Sequence, residues 1–412
     1  MSITYDQLKQ FVAGDTVAIR GTATLEPAGG PGDKIFPPTH AVDDKDKKKA
    51  GAKYALEDRR IDGQNVKCVL IDSVQSQANR MEEALEALWD EKKISLPVVS
   101  VDFSSVAPEV GRVTSLSAPH RIADALLRDS LLNGQLFRLS DIGKSFTDAS
   151  PRNATALFKV CPTGLVFGLW DSTGPKGGLG AKFQRALVSE IVGINAVEGR
   201  KTSSRIDSAT TGKIDYPLYK AAAREEMWTA EPAQALMENG EPVKVGKKEK
   251  AGKPSAVVLG NIAPSIDDVA GGVTIDKARH TVVLSLASLR RLGFTTGAEE
   301  ARTVLAALGL LAVFSAERCG HDLRSRCLLV PKQGAALKLE AVARDGSTTP
   351  LDLDFDGAIT LYNEAVNKLP DEVKFEKPAG EAVAELTPSP KLADLVKKSR
   401  ELGATDADDG DA

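Results

Sequence analysis

The sequence predicts a mixed α+β fold with the outline of a ferredoxin-like, RRM-related domain. Two observations predict it. Residues 66–89 have the pattern of a strand, a tight polar turn and a helix, and residues 282–330 have that of a strand–helix–strand unit. Stretches of different composition separate the two segments, and no repeat of solenoid length is visible. The sequence therefore predicts one core domain interrupted by insertions.

Apolar runs and their spacing predict the elements of the first half of the chain. The helix that follows the strand at 66–71 is indicated by Ala78, Met81, Leu85 and Leu88, which recur at helical spacing. A Gly/Pro-rich stretch and a Lys/Asp-rich run are typical of loops. In chain order we predict a strand at 16–25, loops at 27–38 and 43–53, a strand at 66–71, helices at 75–89 and 119–132, a hairpin of strands at 156–161 and 165–170, and a strand at 186–197.

The second half divides into an insertion, the remaining core and a tail. Residues 200–255 are polar and charged, and we interpret them as a segment inserted into the core. Residues 371–412 carry 11 acidic and 6 basic side chains and little apolar pattern, which is typical of a flexible acidic tail. The core resumes between these two segments. It supplies a strand at 282–286, a helix at 298–314 and a strand at 327–330, so that the predicted core comprises residues 1–199 and 256–370.

Composition and charge restrict the classes of function. The chain has 412 residues, a formal net charge of −4, and only 5% aromatic residues. Few aromatics leave little material for an extended base-stacking platform. The charge is unevenly placed, however, because residues 138–205 contain 10 Lys/Arg against 5 Asp/Glu. If this protein binds nucleic acid, we expect it to hold mainly the backbone through this basic region.

The sequence offers no recognisable catalytic, metal or cofactor motif. The four cysteines form no C-x-x-C pair; Cys319 and Cys327 flank His321, but we expect reduced thiols there and no metal. The four histidines are scattered and adjoin no nucleophile motif. The N-terminus lacks an apolar signal core, and the apolar run at 304–314 is too short to span a bilayer. We expect a soluble, cytoplasmic protein that is not an enzyme and uses no cofactor.

The turn between the first predicted strand and its helix is the strongest candidate for phosphate binding. Polar donors are concentrated there, where free backbone N–H groups and the positive end of the helix dipole favour an anion. The alternative interpretation is helix capping by a serine, which would explain one serine but not the remaining polar side chains. The candidate ligands in this turn are Ser73, Gln75, Ser76, Gln77, Asn79 and Arg80.

A second group of candidates lies in the basic region. The glycine-rich loop 174–180 would let a backbone approach phosphates closely, and Lys176, Lys182 and Arg185 lie in or beside it. A plain surface loop is about as plausible for such a stretch on its own. The other basic candidates for RNA contact are Lys144, Arg152, Lys201 and Arg205.

Several separate blocks of the sequence resemble one known family, and they occur in the same order. They are 71–85, the run HRIADA at 120–125, GLWDSTG at 168–174, KTSSRID at 201–207 and DLRSRCL at 322–328. Over roughly residues 17–330 the chain resembles the RAMP-superfamily backbone subunit of the type I-G (formerly I-U) CRISPR Cascade complex. The turn at 73–76 is also similar to the strand-to-helix turn of other Cascade backbone subunits.

The resemblance implies an RRM-like palm with inserted finger and thumb elements, residues 200–255 being the thumb candidate. It implies that many copies line one guide RNA (crRNA) in a helical filament, with sequence reading left to base pairing between guide and target DNA strand. The further partners it implies are the large subunit and guide-processing subunit of Cascade and a recruited helicase-nuclease.

Two other functions remain open at the level of sequence. One is an RNA-cleaving RAMP protein, either a guide-processing or a target-RNA endoribonuclease, and the thumb candidate does contain Asp207 and Asp215. The other is a structural assembly protein that makes no RNA contact. Cleavage assays would identify the first, and polymerisation that survives nuclease treatment would identify the second.

Overall fold

The chain forms two compact units. The computed structural model describes residues 3–41, 53–172, 181–209, 216–223, 226–247, 250–267 and 270–406, with side chains as far as residue 400. The first unit comprises Met1–Ala41, Tyr54–Val197 and Val273–Asp394. The second comprises Val42–Lys53, Glu198–Gly272 and Leu395–Ala412. No described helix combines the length and the apolar character needed to cross a membrane.

Ten α-helices lie within the described residues. They are α1 (Tyr5–Ala13), α2 (Val74–Asp90), α3 (Ala125–Arg128), α4 (Asp141–Thr147), α5 (Thr155–Phe158), α6 (Thr163–Phe167), α7 (Leu286–Arg290), α8 (Ala298–Cys319), α9 (Phe355–Asn367) and α10 (Pro390–Asp406). Together with the strands they give the mixed α+β architecture that the sequence predicts.

The first unit is built on a large antiparallel sheet, nine-stranded within the described chain. Its strands are β1 (Thr16–Pro27), β4 (Leu56–Ile61), β5 (Gln64–Asp72), β12 (Leu187–Ile194), β21 (Lys277–Ser285), β22 (His321–Asp322), β23 (Leu328–Pro331), β24 (Lys338–Ala343) and β25 (Thr348–Leu351). They are arranged in the order β22-β23-β1-β21-β12-β5-β4, and β24 joins β25 to the first half of β1. At its other edge β1 pairs with β21, Ala18 opposite Ser285 and Leu25 opposite Ala278.

A split strand–helix–strand unit covers one part of this sheet. Strands β21 and β24 are both antiparallel to β1, which lies between them in the sheet, and α7, α8, β22 and β23 lie between them in sequence. Residues 303–315 of α8 are all buried, and the helix contacts α1, α2 and α9. A helix that is apolar on every side is buried on every side. The first predicted unit lacks this split arrangement. β12 is the next strand of this sheet after α2, and it pairs directly with β5, with no strand between them.

A second sheet places part of the predicted tail in the core. Its strands are β6 (Val99–Asp102), β7 (Arg112–Thr114), β8 (Ser130–Leu132), β9 (Gln135–Leu136) and β26 (Ala384–Pro388). β26 lies between β6 and β8 and buries Ala384 and Leu386. The interpretation of residues 371–412 as a flexible acidic tail is therefore wrong for 384–388. The alternation of apolar and polar residues over AELTP was the overlooked signal.

Two predicted elements before residue 171 are wrong. The expected helix over 119–132 is a 3₁₀ turn, Arg121–Ala123, then α3 and β8, because extended Asp124 interrupts it and caps α3 through the backbone N–H of Leu126. The expected hairpin of 156–161 and 165–170 is instead α5 and α6 followed by a two-residue strand. A short apolar run does not distinguish a buried strand from a buried helix.

The remaining strands are short. In the first unit or at its boundaries they are β2 (Thr39–His40), β3 (Lys53–Tyr54), β10 (Leu169–Trp170), β11 (Lys182–Phe183), β13 (Val197–Glu198) and β20 (Val273–Thr274). In the second unit they are β14 (Lys201–Arg205), β15 (Tyr219–Lys220), β16 (Trp228–Thr229), β17 (Met237–Glu238), β18 (Glu241–Pro242) and β19 (Ile262–Asp267). Within the described residues, the longest ladder of the second unit joins β14 to β19, with Lys201 opposite Asp267.

Candidate nucleic-acid interface

The turn from β5 into α2 is fixed by a serine cap. Ser73 has extended backbone (φ −79°, ψ 164°), and its hydroxyl accepts a hydrogen bond from the backbone N–H of Ser76 at 3.2 Å. This satisfies one of the free donors at the helix start. The capping interpretation thus accounts for Ser73, and the direction in which α2 leaves the sheet determines where its other polar side chains lie.

The polar residues of the turn divide between two faces of α2. Gln77 is buried, and its amide nitrogen donates to Asp72 Oδ2 at 2.7 Å. Arg80 donates through Nε to the same oxygen at 3.1 Å and through Nη2 to the carbonyl of Leu323 at 2.7 Å. These two predicted phosphate ligands are therefore engaged with protein groups in the described structure.

The other face of α2 borders a groove of about 750 Å³. Gln75 and Asn79, one helical turn apart and both exposed, lie on one wall. Residues 119–128 and 167–185 supply the remaining lining among the described residues. The basic lining residues are Arg121, Arg128, Lys182 and Arg185, against one acidic residue, Asp171, which is paired with Arg138 at 3.1 Å. Arg121 and Arg128 are paired with Glu82 and Asp129, so Lys182 and Arg185 supply the positive charge that favours an anionic ligand.

An exposed tryptophan lies in this groove. Trp170 is 60% exposed and sits on β10, opposite Lys182 of β11. The ammonium of Lys182 lies 5.4 Å from the centroid of the indole ring. A solvent-exposed indole with a cation beside it is suited to stack on a base while the cation meets the adjacent phosphate. The groove therefore combines one aromatic surface suited to stacking with cationic side chains that would favour phosphate.

A buried ion pair holds the wall of the groove together. Arg121 donates to both carboxylate oxygens of Glu82, at 2.7 and 2.6 Å, and through Nη1 to the carbonyl of Gly168 at 3.0 Å. The backbone of Arg121 has φ of +55°, a conformation that residues other than glycine rarely adopt. Gly168 has φ of +90°, and a Cβ there would lie 2.9 Å from Cγ of Arg185. These contacts join α2 to the segment that carries Trp170.

Arg185 is a half-buried cation in the lining of the groove. Its Nε donates to the carbonyl of Phe167 at 3.0 Å. Burial, followed by the nearby charge of Arg121, lowers the pKa of Arg185 from its usual value. A guanidinium that has lost hydration and faces a like charge would be stabilised by an anion in the groove.

The remaining predicted ligands lie elsewhere. Lys144 on α4 and Arg152 in the following loop are exposed but do not line the groove, and Lys176 lies outside the described residues. In the second unit, Lys201 is exposed on β14, whereas Arg205 donates from Nε and Nη2 to the carbonyl of Gly260 at 2.9 and 2.7 Å. The groove thus brings together four of the predicted residues: Gln75, Asn79, Lys182 and Arg185.

The sequence interpretation missed other residues of the groove. His120, Arg121, Arg128 and Trp170 line it but were not among the predicted ligands. His120, Arg121 and Trp170 belong to the blocks HRIADA and GLWDSTG that carry the family resemblance. Their position in the blocks that carry the family resemblance was one available signal. The other was that the tryptophan precedes an aspartate and a glycine-rich loop.

The fold and the groove define a mixed α+β protein with a cationic cleft that contains one exposed indole. Residues 19–198 match a family model described as CRISPR-associated protein GSU0053 (Cas_GSU0053). The matched region is less than half of the 412-residue chain and includes α2 and the whole described lining of the groove. The match indicates a CRISPR-associated protein family. No curated protein matches the chain.

Proposed function

We propose that this chain binds guide RNA as the repeating backbone subunit of a CRISPR Cascade complex, of the type I-G class that its sequence resembles. The observation that carries the proposal is the groove beside α2, where Lys182 and Arg185 lie with the exposed ring of Trp170. Phosphates would meet the basic side chains and the amides of Gln75 and Asn79. Such contacts hold RNA without reading its sequence, as an RNA-guided complex requires.

The proposed fold is an RRM-like palm with inserted elements. The split unit of β21, α8 and β24 supports this, since a ferredoxin-like domain contains two such units. The groove lies beside α2 and the β10–β11 hairpin, so RNA would bind through these elements and not through sheet aromatics. Further copies would follow along the guide in a head-to-tail filament, together with the other Cascade subunits and the target DNA strand.

We further propose that the protein holds RNA without cleaving it. In the second unit the Asp207 carboxylate accepts hydrogen bonds from the backbone N–H groups of Ala209 and Gly260, at 2.9 and 2.8 Å, and these contacts organise a loop. Asp215, the other acidic candidate for cleavage, lies outside the described residues. Incubation with repeat RNA and with complementary target RNA, with and without Mg²⁺, tests the point, and discrete cleavage products would favour the endoribonuclease alternative.

The binding proposal is tested by Trp170→Ala and Lys182→Ala in protein expressed with its CRISPR array. We expect wild-type protein to co-purify with RNA of uniform length. Trp170→Ala should weaken single-stranded RNA binding by about 1–3 kcal/mol, the usual contribution of one stacked base. Trp170→Phe should retain most of the affinity.

Lys332→Ala is the matched control for Lys182→Ala, because Lys332 is also exposed and lies outside the groove. Thermal melting should show that all four variants fold. If Lys182→Ala and Lys332→Ala load RNA equally well, and Trp170→Ala binds like wild type, the groove is not the RNA site.

A further inference from the structure

Three side chains meet at the C-terminal end of α8: His280 of β21, Glu317 in the last turn of α8, and His321 of β22. Oε1 of Glu317 lies 3.1 Å from Nδ1 of His280 and 3.3 Å from Nε2 of His321. The two imidazole rings are nearly perpendicular, 75° apart, with centroids separated by 5.5 Å. Both histidines are more than nine-tenths buried. One ligand atom from each of the three residues lies within 4.8 Å of the other two.

A chain of hydrogen bonds fixes which nitrogen of His280 carries the proton. The Asp72 carboxylate can only accept, so the Gln77 amide nitrogen, 2.7 Å away, must face it. The Gln77 carbonyl oxygen then accepts from the hydroxyl of Ser189 at 2.8 Å. With its proton committed, the Ser189 oxygen accepts from Nε2–H of His280, also at 2.8 Å. In neutral His280, Nδ1 is consequently the unprotonated nitrogen.

This tautomer places a lone pair of His280 opposite the carboxylate of Glu317. Within the described residues, neither His280 Nδ1 nor His321 Nε2 has a hydrogen bond of acceptable geometry, although both lie within 3.3 Å of Glu317 Oε1. A buried carboxylate that faces the lone pair of His280 is stable when a cation lies between them.

We propose that His280, Glu317 and His321 form a binding site for a divalent transition-metal ion, with Zn²⁺ the preferred ion. Imidazole and carboxylate are zinc ligands, and bonds of about 2.0–2.1 Å in a tetrahedron separate ligand atoms by about 3.3 Å. The two separations from Glu317 Oε1, 3.1 and 3.3 Å, match that edge length. The bond from His280 Nε2 to Ser189 is the outer hydrogen bond that metal-binding histidines usually make.

The surroundings allow a fourth ligand and suggest a structural role. A cavity of about 230 Å³ adjoins the three side chains, which leaves room for a water molecule, and Cys319 lines the same cavity. Besides the three proposed ligands, the charged residues that line this cavity are Arg80, Glu83 and Asp322. The ion would join β21, the end of α8 and β22. Through Ser189 and Gln77 it would also brace the start of α2, beside the groove.

The test uses the full-length protein with any histidine tag removed, stripped with a chelator and then dialysed against Zn²⁺. We expect about one equivalent of bound zinc by elemental analysis and a melting temperature that rises with Zn²⁺ concentration. Co²⁺ in place of zinc should give the visible absorption of a tetrahedral site. Glu317→Gln and His321→Ala should each abolish the stoichiometric ion and the Co²⁺ spectrum.

His40→Ala is the matched control, because it also removes one histidine but at an exposed position. It should bind zinc as wild type does. The proposal is overturned if wild type retains no zinc and its melting temperature ignores Zn²⁺, which would identify a proton as the cation between His280 and Glu317. It is also overturned if folded Glu317→Gln binds as much zinc as His40→Ala. Neither result depends on RNA binding.

Discussion

Arg121 shows how much of the groove depends on single residues. Its guanidinium, 9% exposed, is bonded to both oxygens of Glu82, and its backbone is held at φ of +55°. A conformation of that kind costs about 1–3 kcal/mol and persists where surrounding contacts enforce it. The contacts here are the ion pair and the carbonyl of Gly168. The position of Trp170 thus depends on a buried charge pair 39 residues apart in sequence.

Removing one partner of this pair should be strongly destabilising. We expect Arg121→Ala or Glu82→Gln to lower the free energy of unfolding by about 3–5 kcal/mol, because each leaves a buried charge without its partner. Urea denaturation of both variants measures the loss. Arg344→Ala is the control, since it breaks an exposed pair with Asp15 and should cost less than about 1 kcal/mol. Equal losses in Arg121→Ala and Arg344→Ala would contradict the role given to the pair.

Residues were predictable from sequence where their chemistry is local. Gln75 and Asn79 follow from helical spacing, and Lys182 and Arg185 from the charge of the basic region. Periodicity identifies the faces of a helix but not what each face contacts. It therefore could not separate Gln75 from Gln77, whose amide is committed to Asp72 and Ser189. Likewise, the cysteines nearest His321 drew attention in the sequence, whereas its structural neighbours are Glu317 and the distant His280.

At the scale of elements, long segments were predictable and short ones were not. The helical spacing and apolar content that predicted α2 and α8 extend over several turns. α5 has only four residues, of which Leu157 and Phe158 are buried, and all five residues of α6 are buried, so neither run is long enough to show a period. The strand β26 was missed for another reason. The alternation over AELTP indicates a short strand, but its partners β6 and β8 lie more than 250 residues earlier, so the local pattern does not show that the strand is central in a sheet.

A point substitution in β26 distinguishes a core strand from a flexible tail. Leu386 is 2% exposed and pairs with Val101 across the parallel ladder. We expect Leu386→Ala to lower stability by about 2–5 kcal/mol, through lost burial and the cavity that remains. Glu385→Ala, on the exposed face of the same strand, should change it by less than about 0.5 kcal/mol. Thermal or urea unfolding provides the measurement, and a neutral Leu386→Ala would restore the tail interpretation.

At the scale of the whole molecule, the charge is distributed so that a nearly neutral protein has a basic groove. The net charge is −4, yet the described lining of the groove has four basic side chains and one acidic. A subunit that holds a few nucleotides and contacts copies of itself needs one such groove and not a basic surface. If several phosphates are held there, the logarithm of RNA affinity should fall with the logarithm of salt concentration, by about 0.7 for each phosphate neutralised.

The C-terminal residues 401–412 should oppose RNA binding through their charge. They contain five acidic residues and no basic one, so deleting them changes the formal net charge from −4 to +1. We expect the shortened chain to bind unrelated single-stranded RNA more tightly at low salt, because repulsion between two polyanions is removed. The difference should shrink at physiological salt, where screening acts beyond roughly 8 Å. Filter binding at two salt concentrations measures it, and melting temperatures should show that both chains fold alike.

A second variant separates charge from length. It keeps all 412 residues and neutralises the same positions as Glu401→Gln, Asp406→Asn, Asp408→Asn, Asp409→Asn and Asp411→Asn. If charge is the cause, this variant and the shortened chain should bind RNA equally tightly, because both lose five negative charges. If only deletion tightens binding, the segment acts by its bulk. If neither change alters affinity at low salt, the segment does not influence the groove, and the uneven charge of the chain must serve contacts with other partners.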